Sequence, residues 1–312
     1  EISDVYSDYW FFTENCSYNI LWLLELARNE LSLVDKFDMK VTPIDTIREV
    51  SKSNLIAHEH FRASKTRKMR ALLQLVKDKA GVMDFLESDR VDAKEGSDQE
   101  KRALLELATE YLRYQHSENK IETASYSKKL LGYLRNRSKL GKMDAYTISK
   151  SDDPLLGHES SRVSFGVNEK LETLLSVKGT YHDKTDIEQG YIPGAYINFL
   201  DLKVNIDKER VRLENFSLLK IESYAKRDAL FKPLSWKIQI GASPFKNGKN
   251  HLNVTGGFGL SYGSDSYYYY MMIQPSIYYY KTPIVGIGLN GGYLYHGSKK
   301  IKVGLESSHE KF

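Results

Sequence analysis

The residue with the clearest chemical potential is Cys16, the single cysteine of this 312-residue sequence. Asn15 precedes it, and asparagine is a favoured helix N-cap because its side-chain oxygen accepts from the free N–H groups of the first turn. Five apolar residues then recur at helical spacing, which predicts one apolar helix face packed on a sheet. They are Ile20, Leu23, Leu24, Ala27 and Leu31. The aromatic run over residues 9–12 is interpreted as a buried strand or strand end.

A cysteine in the first turn of a helix lies at the positive end of the helix dipole, which favours a thiolate. A thiolate is the nucleophile of cysteine hydrolases and acyltransferases, and N–H groups of the same turn could stabilise an oxyanion. Lone cysteines are also often buried small hydrophobes. The pattern alone therefore leaves both interpretations of Cys16 open.

Histidines form the second set of candidates. Residues 40–43 and 55–62 are predicted as short strands that flank a helix over residues 45–53, so His58 and His60 would share one strand face. Together they could bind a metal, or one could act as the base for Cys16. A solvated edge strand is the favoured interpretation, because no third ligand follows at metal-site spacing. His158, which follows Gly157, is interpreted as a structural turn residue rather than a ligand.

Composition narrows the function classes. Lys and Arg number 45 against 41 Asp and Glu, a balance that does not favour nucleic-acid binding. One cysteine excludes a disulfide framework and a zinc site built from thiolates. The sequence has neither a phosphate-binding glycine loop nor an apolar run of about 20 residues. No metal or cofactor is predicted.

The middle and the end of the chain have different hydrophobic periods. Residues 64–148 show apolar stripes at helical spacing, such as Met69, Leu72 and Leu73, and predict an α-helical module. From residue 155 the period is two, in segments of about ten residues with one apolar and one small or polar face. Tyrosines at 267–270 and 278–280 bracket aliphatic residues of one such segment, as the aromatic girdles of a membrane barrel do. A soluble sandwich or lipocalin-like barrel is the alternative.

The chain end does not continue this pattern. Glu306, Ser308 and Glu310 stand where apolar residues should alternate before the terminal aromatic Phe312. The sheet is therefore expected to be incomplete at Phe312.

Asn15-Cys16 after an aromatic run, followed by Leu-Leu-Glu-Leu-Ala-Arg, resembles the end of the Lnb N-terminal periplasmic domain, a bacterial family. The other matching segments are Pro-Ile-Asp-Thr-Ile-Arg at 43–48, Phe-Arg-Ala-Ser at 61–64, Tyr-Leu-Arg-Tyr at 111–114, Gly-His-Glu-Ser-Ser-Arg at 157–162, Phe-Leu-Asp at 199–201 and Phe-Lys-Pro-Leu-Ser-Trp at 231–236.

The resemblance implies a circularly permuted papain-like fold, as in NlpC-type peptidases and lecithin–retinol acyltransferases. It implies Cys16 of the Asn15-Cys16 pair as nucleophile and a histidine in a segment upstream of Glu1. In one subgroup a helical region and an outer-membrane β-barrel follow, so the chain would be an internal piece of a longer protein.

The predicted fold is thus an α+β remnant of a papain-like domain over residues 1–63, an α-helical module over 64–148, and an antiparallel all-β barrel of the outer-membrane type, incomplete, over 155–312. The expected function is thiol-dependent acyl transfer or hydrolysis on lipoprotein or lipid acyl groups, in a Gram-negative outer membrane with a periplasmic domain. The expected partners are membrane lipid or lipoprotein, without nucleic acid. Two alternatives stay open: an NlpC-type cysteine peptidase or amidase on cell-wall peptides, and a non-enzymatic barrel with a binding or scaffolding domain. Without the upstream histidine, residues 1–312 alone are expected to be inactive.

Overall fold

The computed structural model describes residues 8–168, 171–208, 210–244, 249–298 and 301–311. In these ranges six α-helices precede nine β-strands. The helices are α1 Cys16–Ala27, α2 Pro43–Lys52, α3 Lys65–Gln74, α4 Lys79–Glu87, α5 Asp98–Ser117 and α6 Thr123–Lys139. The strands are β1 Arg162–Val167, β2 Thr173–His182, β3 Ala195–Ile206, β4 Val211–Ser223, β5 Ser235–Pro244, β6 Asn250–Gly263, β7 Tyr267–Tyr280, β8 Thr282–Ser298 and β9 Ile301–Lys311. Two compact units result: one joins the residues up to His58 to those from Asp152 onward, and the other is Glu59–Ser151.

The aromatic run before α1 is not a buried strand, so this prediction was wrong. Residues 11–13 form a turn in which the Trp10 carbonyl accepts from the N–H groups of Thr13 and Glu14 at 3.2 and 3.0 Å. The four aromatic side chains are exposed, Trp10 by 63%. Because the backbone forms a turn here, it cannot pair with a neighbouring strand. The Phe11 and Phe12 rings contact Phe199 of β3 instead.

The face of α1 that packs also differs from the predicted one. Leu21 and Ser17 are buried, whereas Ile20 and Leu23 are exposed. α1 is apolar on most of its circumference, so the helical period fits more than one face. The Glu25 carboxylate accepts from the backbone N–H of Val34 at 2.8 Å and also from that of Leu33, which ties this side of α1 to the following segment.

Neither of the two short strands predicted beside α2 forms. Thr42 caps α2, and Pro43 is the first residue of the helix. The helix therefore begins before residue 45 and includes the end of the first predicted strand. Residues 55–62 belong to neither a helix nor a strand, and both His58 and His60 are exposed. The argument that these two histidines share a strand face therefore fails.

Residues 59–151 form the helical unit, in which α3, α4 and α6 each pack on α5. Its core is apolar: Met69, Leu72, Val82, Phe85, Leu86, Ala103, Leu105, Leu107, Ala108, Leu112 and Tyr133 are buried. α5 begins with a capping box, in which Ser97 and Glu100 each bond the backbone N–H of the other. The predicted helical character of this region is confirmed.

All nine strands pair antiparallel in chain order, so each described strand bonds its sequence neighbours. Among the described residues β1 pairs with β2 and β9 with β8, and the sheet is open. It is nevertheless strongly curled. Tyr196 of β3 and Tyr268 of β7 lie four strands apart in the sheet, yet their hydroxyl oxygens are 2.8 Å apart. In a flat sheet, strands four apart would be separated by about 19 Å.

The curled sheet buries a face with many polar side chains and exposes a face of mostly apolar ones. The buried face also holds one apolar cluster, formed by Tyr196, Tyr224, Tyr268, Tyr270, Met272 and Leu294. In β6, His251, Asn253 and Thr255 are buried, while Leu252 and Val254 are exposed. β7 and β8 repeat this arrangement, with the burial of Ser276 and Asn290 and the exposure of Ile273, Ile287 and Leu289. The alternation predicted for β6 to β8 is confirmed. Phe312, where the sheet is expected to be incomplete, lies outside the described residues.

No described helix is both long and apolar enough to cross a membrane.

Candidate functional site

Cys16 is exposed and is the first residue of α1, as the sequence predicts. Asn15 positions it: its Oδ1 accepts from the backbone N–H of Ser17 at 3.1 Å and of Tyr18 at 3.3 Å. The Asn15 amide nitrogen donates to the Val41 carbonyl at 2.8 Å, which anchors the start of α1 to the segment before α2. Asn15 is buried, and these contacts give it a positioning role.

The same contacts restrict how the first turn could stabilise an oxyanion. Because the Ser17 and Tyr18 N–H groups already donate to Asn15, they are not available to a substrate carbonyl. The Cys16 N–H lies in the same turn and points out of the start of the helix.

An exposed apolar strip follows Cys16 along α1. Ile20 and Leu23 stand four and seven residues after Cys16, a spacing that places all three on one helix face. Ile20 is 56% exposed and Leu23 is 53% exposed. The exposed aromatic residues 9–12 stand a few positions before the helix in the chain, so the region around Cys16 exposes an unusual amount of apolar surface.

A second cluster lies at the end of the sheet where β1 begins and β2 ends. It contains His158, His182 and Asp186, and one ligand-capable atom of each lies within 4.8 Å of the others. His158 Nε2 is 3.1 Å from His182 Nδ1 and 3.8 Å from Asp186 Oδ2. Within the described ranges this is the one group of three or more His, Cys, Asp or Glu residues with such spacing, and neither His58 nor His60 belongs to it.

Aromatic rings enclose the two histidines. The Tyr191 ring stacks on His182 with 3.7 Å between centroids and 3° between planes, and Tyr181 stacks on His158 at 4.7 Å. Burial lowers the pKa of His158 below its usual value, with an opposing contribution from the Glu159 carbonyl, which His158 contacts. The neutral imidazole is therefore favoured at His158.

Contacts with the segment around α2 hold His158 in place. The Arg48 guanidinium donates to the carbonyl oxygens of Gly157 and His158 at 2.9 and 2.7 Å. It also pairs with Asp45 at 3.0 Å, and Asp45 in turn accepts from the Ser160 hydroxyl. The Gly-His-Glu-Ser-Ser-Arg segment is thus the place where the N-terminal residues bond the edge of the sheet.

The sequence patterns did not indicate His182 or Asp186, and they favoured a turn role for His158. Their separation of 24 to 28 positions from His158 follows no ligand motif, and they come together because β1 and β2 pair in a hairpin. His182 is the last residue of β2, and Asp186 lies four residues further on.

The buried face of the sheet contains a network of charged groups. Lys184 Nζ lies 3.2 Å from Glu222 and 3.0 Å from Glu306. Glu222 also pairs with Lys220 at 3.2 Å and accepts from the Tyr224 hydroxyl at 3.0 Å. The carboxylate of Glu222 is thus fully surrounded by donors, as a buried charge requires.

Three family models match the chain. The Lnb N-terminal periplasmic domain matches residues 1–53, a domain of unknown function (DUF7842) matches residues 59–147, and a domain of unknown function (DUF7840) matches residues 151–312. The first match indicates a periplasmic or cell-envelope protein and bears out that part of the resemblance. No curated protein and no solved structure matches. Since the third model covers more than half of the chain, and with it the whole sheet and the His158 cluster, the chain belongs to the family described as domain of unknown function (DUF7840).

Proposed function

We propose that this chain belongs to a cell-envelope enzyme that uses Cys16 to transfer or hydrolyse acyl groups of lipoproteins or lipids, and that its curled sheet forms the wall of an outer-membrane-type barrel. The observation that carries the enzymatic part is the exposed Cys16 at the first position of α1, within the residues that match the Lnb N-terminal periplasmic domain.

In the proposed mechanism Cys16 Sγ attacks the carbonyl carbon of an ester or amide. A histidine, which the family resemblance places ahead of Cys16, takes the thiol proton and returns it to the leaving alcohol or amine. The acyl group then stays on the sulfur as a thioester until an acceptor amine or water attacks it. The Cys16 N–H is the first-turn donor that we assign to the oxyanion.

The surroundings of Cys16 favour an acyl chain over a cell-wall peptide. Ile20 and Leu23 extend an exposed apolar strip from the thiol, and such a strip is costly in water unless an apolar partner covers it. A peptide substrate would call for polar side chains along this face. An amidase that acts on wall peptides is therefore the second candidate, and the labelling experiment below discriminates against it.

The exposure of aliphatic side chains on the sheet, together with the burial of polar ones, supports the proposed membrane location. Transmembrane barrels place apolar side chains outward and polar ones inward, with aromatic residues at both interfaces. β7 shows this arrangement in one strand: Tyr267, Tyr269 and Tyr279 are exposed near its ends and Met271, Ile273 and Ile277 are exposed between them. A soluble sandwich would bury the aliphatic side chains.

The thiol proposal is tested by labelling the full-length protein in envelope membranes with two thiol-reactive probes that share one electrophile, one of which carries a long acyl chain. We expect faster labelling by the long-chain probe, its loss in Cys16→Ser, and the loss of the chain preference in Leu23→Asp. The matched control is Ser32→Cys in the Cys16→Ser background, which supplies an exposed thiol away from the strip. Unchanged acyl transfer by Cys16→Ser would refute thiol catalysis, and equal labelling by both probes would favour the peptide amidase.

The membrane proposal is tested with Trp236, which is exposed on β5. The other tryptophans, Trp10 and Trp22, are replaced by phenylalanine so that Trp236 alone reports. We expect brominated lipids to quench its fluorescence in reconstituted vesicles and aqueous iodide to have little effect. The opposite ranking of the two quenchers would place this face in water and exclude a membrane-spanning sheet.

A further inference from the structure

We propose that His158, His182 and Asp186 form a binding site for one divalent transition-metal ion of the Zn²⁺ class. This inference concerns the end of the sheet rather than the thiol, and it holds or fails independently of the chemistry of Cys16. Two imidazole nitrogens and one carboxylate oxygen are a donor set that zinc accepts, with a fourth position left for water.

The distances suit such an ion. Zinc binds nitrogen and oxygen ligands at about 2.0–2.2 Å, so neighbouring ligand atoms in a tetrahedral site lie about 3.2–3.6 Å apart. The His158 Nε2 to His182 Nδ1 distance of 3.1 Å and the His158 Nε2 to Asp186 Oδ2 distance of 3.8 Å bracket this range. All three ligand atoms lie within 4.8 Å of one another, so the side chains already converge and an ion would draw them closer.

The outer nitrogens of both histidines already face acceptors. His158 Nδ1 lies 2.8 Å from the Glu159 carbonyl oxygen, and His182 Nε2 lies 3.4 Å from the Glu188 carboxylate. Metal-ligating histidines usually donate their second N–H to a carbonyl or a carboxylate in this way. If each outer nitrogen carries the proton, the two inner nitrogens present lone pairs to each other at 3.1 Å. Such an arrangement is repulsive until a cation lies between them.

The third ligand is also fixed. Asp186 is buried, its Oδ1 pairs with Arg162 at 2.9 Å, and its Oδ2 accepts from the Asp183 N–H at 2.8 Å. These contacts hold Oδ2 toward the histidines, while the Tyr181 and Tyr191 rings restrict solvent around them. The cluster is therefore preorganised rather than a chance meeting of surface side chains.

The position indicates what the ion would do. His158 belongs to the segment bonded by Arg48, His182 ends β2, and Asp186 lies in the β2–β3 connection. One ion would join these three segments and stabilise the attachment of the N-terminal residues to the sheet.

The test is zinc binding by the purified full chain after removal of metals with a chelator. Affinity is measured by competition with a chromophoric chelator, and Co²⁺ in place of Zn²⁺ reports nitrogen and oxygen ligation by its visible absorption. We expect one equivalent of Zn²⁺, and binding weakened more than about 100-fold in His158→Ala and Asp186→Asn, because changes to outer groups alone cost about 10–100-fold. Glu188→Gln, which alters an outer group, should fall within that smaller range.

The matched controls are His58→Ala and His60→Ala, which remove exposed histidines outside the cluster and should leave affinity unchanged. His182 is almost fully buried, so His182→Ala is interpreted only where circular dichroism shows a folded chain, and the other two ligand variants decide the question. A folded wild-type chain that binds no Zn²⁺ would overturn the proposal in favour of a shared-proton histidine pair. Wild-type affinity in folded His158→Ala, or binding lost in His58→Ala, would overturn it as well.

Discussion

The helical unit and the sheet differ in the kinds of side chains that they bury and expose. In the helical unit apolar side chains such as Leu107 and Phe85 are buried, and charged pairs such as Arg137 with Glu106 lie at the margin of this core, partly buried. In the sheet the buried side chains include Glu222 and Asn290, and aliphatic side chains are exposed. The hydrophobic effect drives apolar surface out of water, so both regions would follow one rule if the exposed face of the sheet met lipid, as proposed above.

The two regions are therefore stabilised by different interactions. The helical unit is stabilised mainly by the burial of apolar side chains, so small polar substitutions at its surface should change its stability little. The sheet relies on its backbone ladder, on a buried cluster of aromatic and aliphatic side chains, and on the ion pairs around Glu222. Three substitutions test this contrast, from the largest expected effect to the smallest.

Glu222→Ala should have the largest effect, a loss of about 3–5 kcal/mol in the free energy of unfolding, because it opens a cavity and removes the buried carboxylate that pairs with both Lys184 and Lys220. Urea titration of the reconstituted protein, followed by Trp236 fluorescence, measures it. Glu214→Ala on the exposed part of β4 is the control and should change the free energy by no more than about 0.5 kcal/mol. Equal effects of the two variants would mean that the buried network does not stabilise the sheet.

Leu107→Ala should destabilise the helical unit by about 2–5 kcal/mol, because it opens a cavity at a fully buried position of α5. Hydrogen exchange of the α5 and α6 amides measures the loss locally. The same truncation at the exposed Ile287 of β8 should cost far less in detergent. If Ile287→Ala proved as costly, the exposed face of the sheet would be packed against protein rather than against detergent.

Ile273→Arg should destabilise the sheet by about 2–4 kcal/mol in vesicles, which is the cost of a charged residue on the lipid face near the bilayer centre. Leu131→Arg on α6 starts from a comparably exposed apolar residue in the helical unit and should cost at most about 0.5 kcal/mol. Unfolding by urea in vesicles compares the two. Similar small costs at both positions would place the exposed face of β7 in water.

Local patterns were sufficient for several features. Asn15 predicted the start of α1 at Cys16, since an N-cap acts within one turn of chain. The strict alternation in β6 to β8 predicted which side chains share a face, because the two faces of a strand differ by one residue. The helical period predicted a helical module over residues 64–148, and the break between α3 and α4 ends at Asp78, which caps α4.

Other features were outside the reach of local patterns. The packed face of α1 was wrongly predicted because a helix that is apolar on most sides offers several equivalent faces, and the neighbouring chain selects one. The strands predicted over residues 40–43 and 55–62 did not form because extended chain becomes a strand only beside a partner edge. The acyl-transfer function and the role of Cys16 stay predictions, since they depend on an experiment rather than on the fold.

The sequence by itself determined the order of the chain: a capped helix that carries the thiol, a helical region, and strands with one apolar and one polar side. Periodicity and capping are properties of neighbouring residues, so they can be read without coordinates. The alternation also fits a soluble sandwich with its apolar side buried, and only the tertiary structure decided that the polar side is the buried one and that His158, His182 and Asp186 meet. Both results depend on how strands curl and pair over long stretches of chain, and no short segment contains that information.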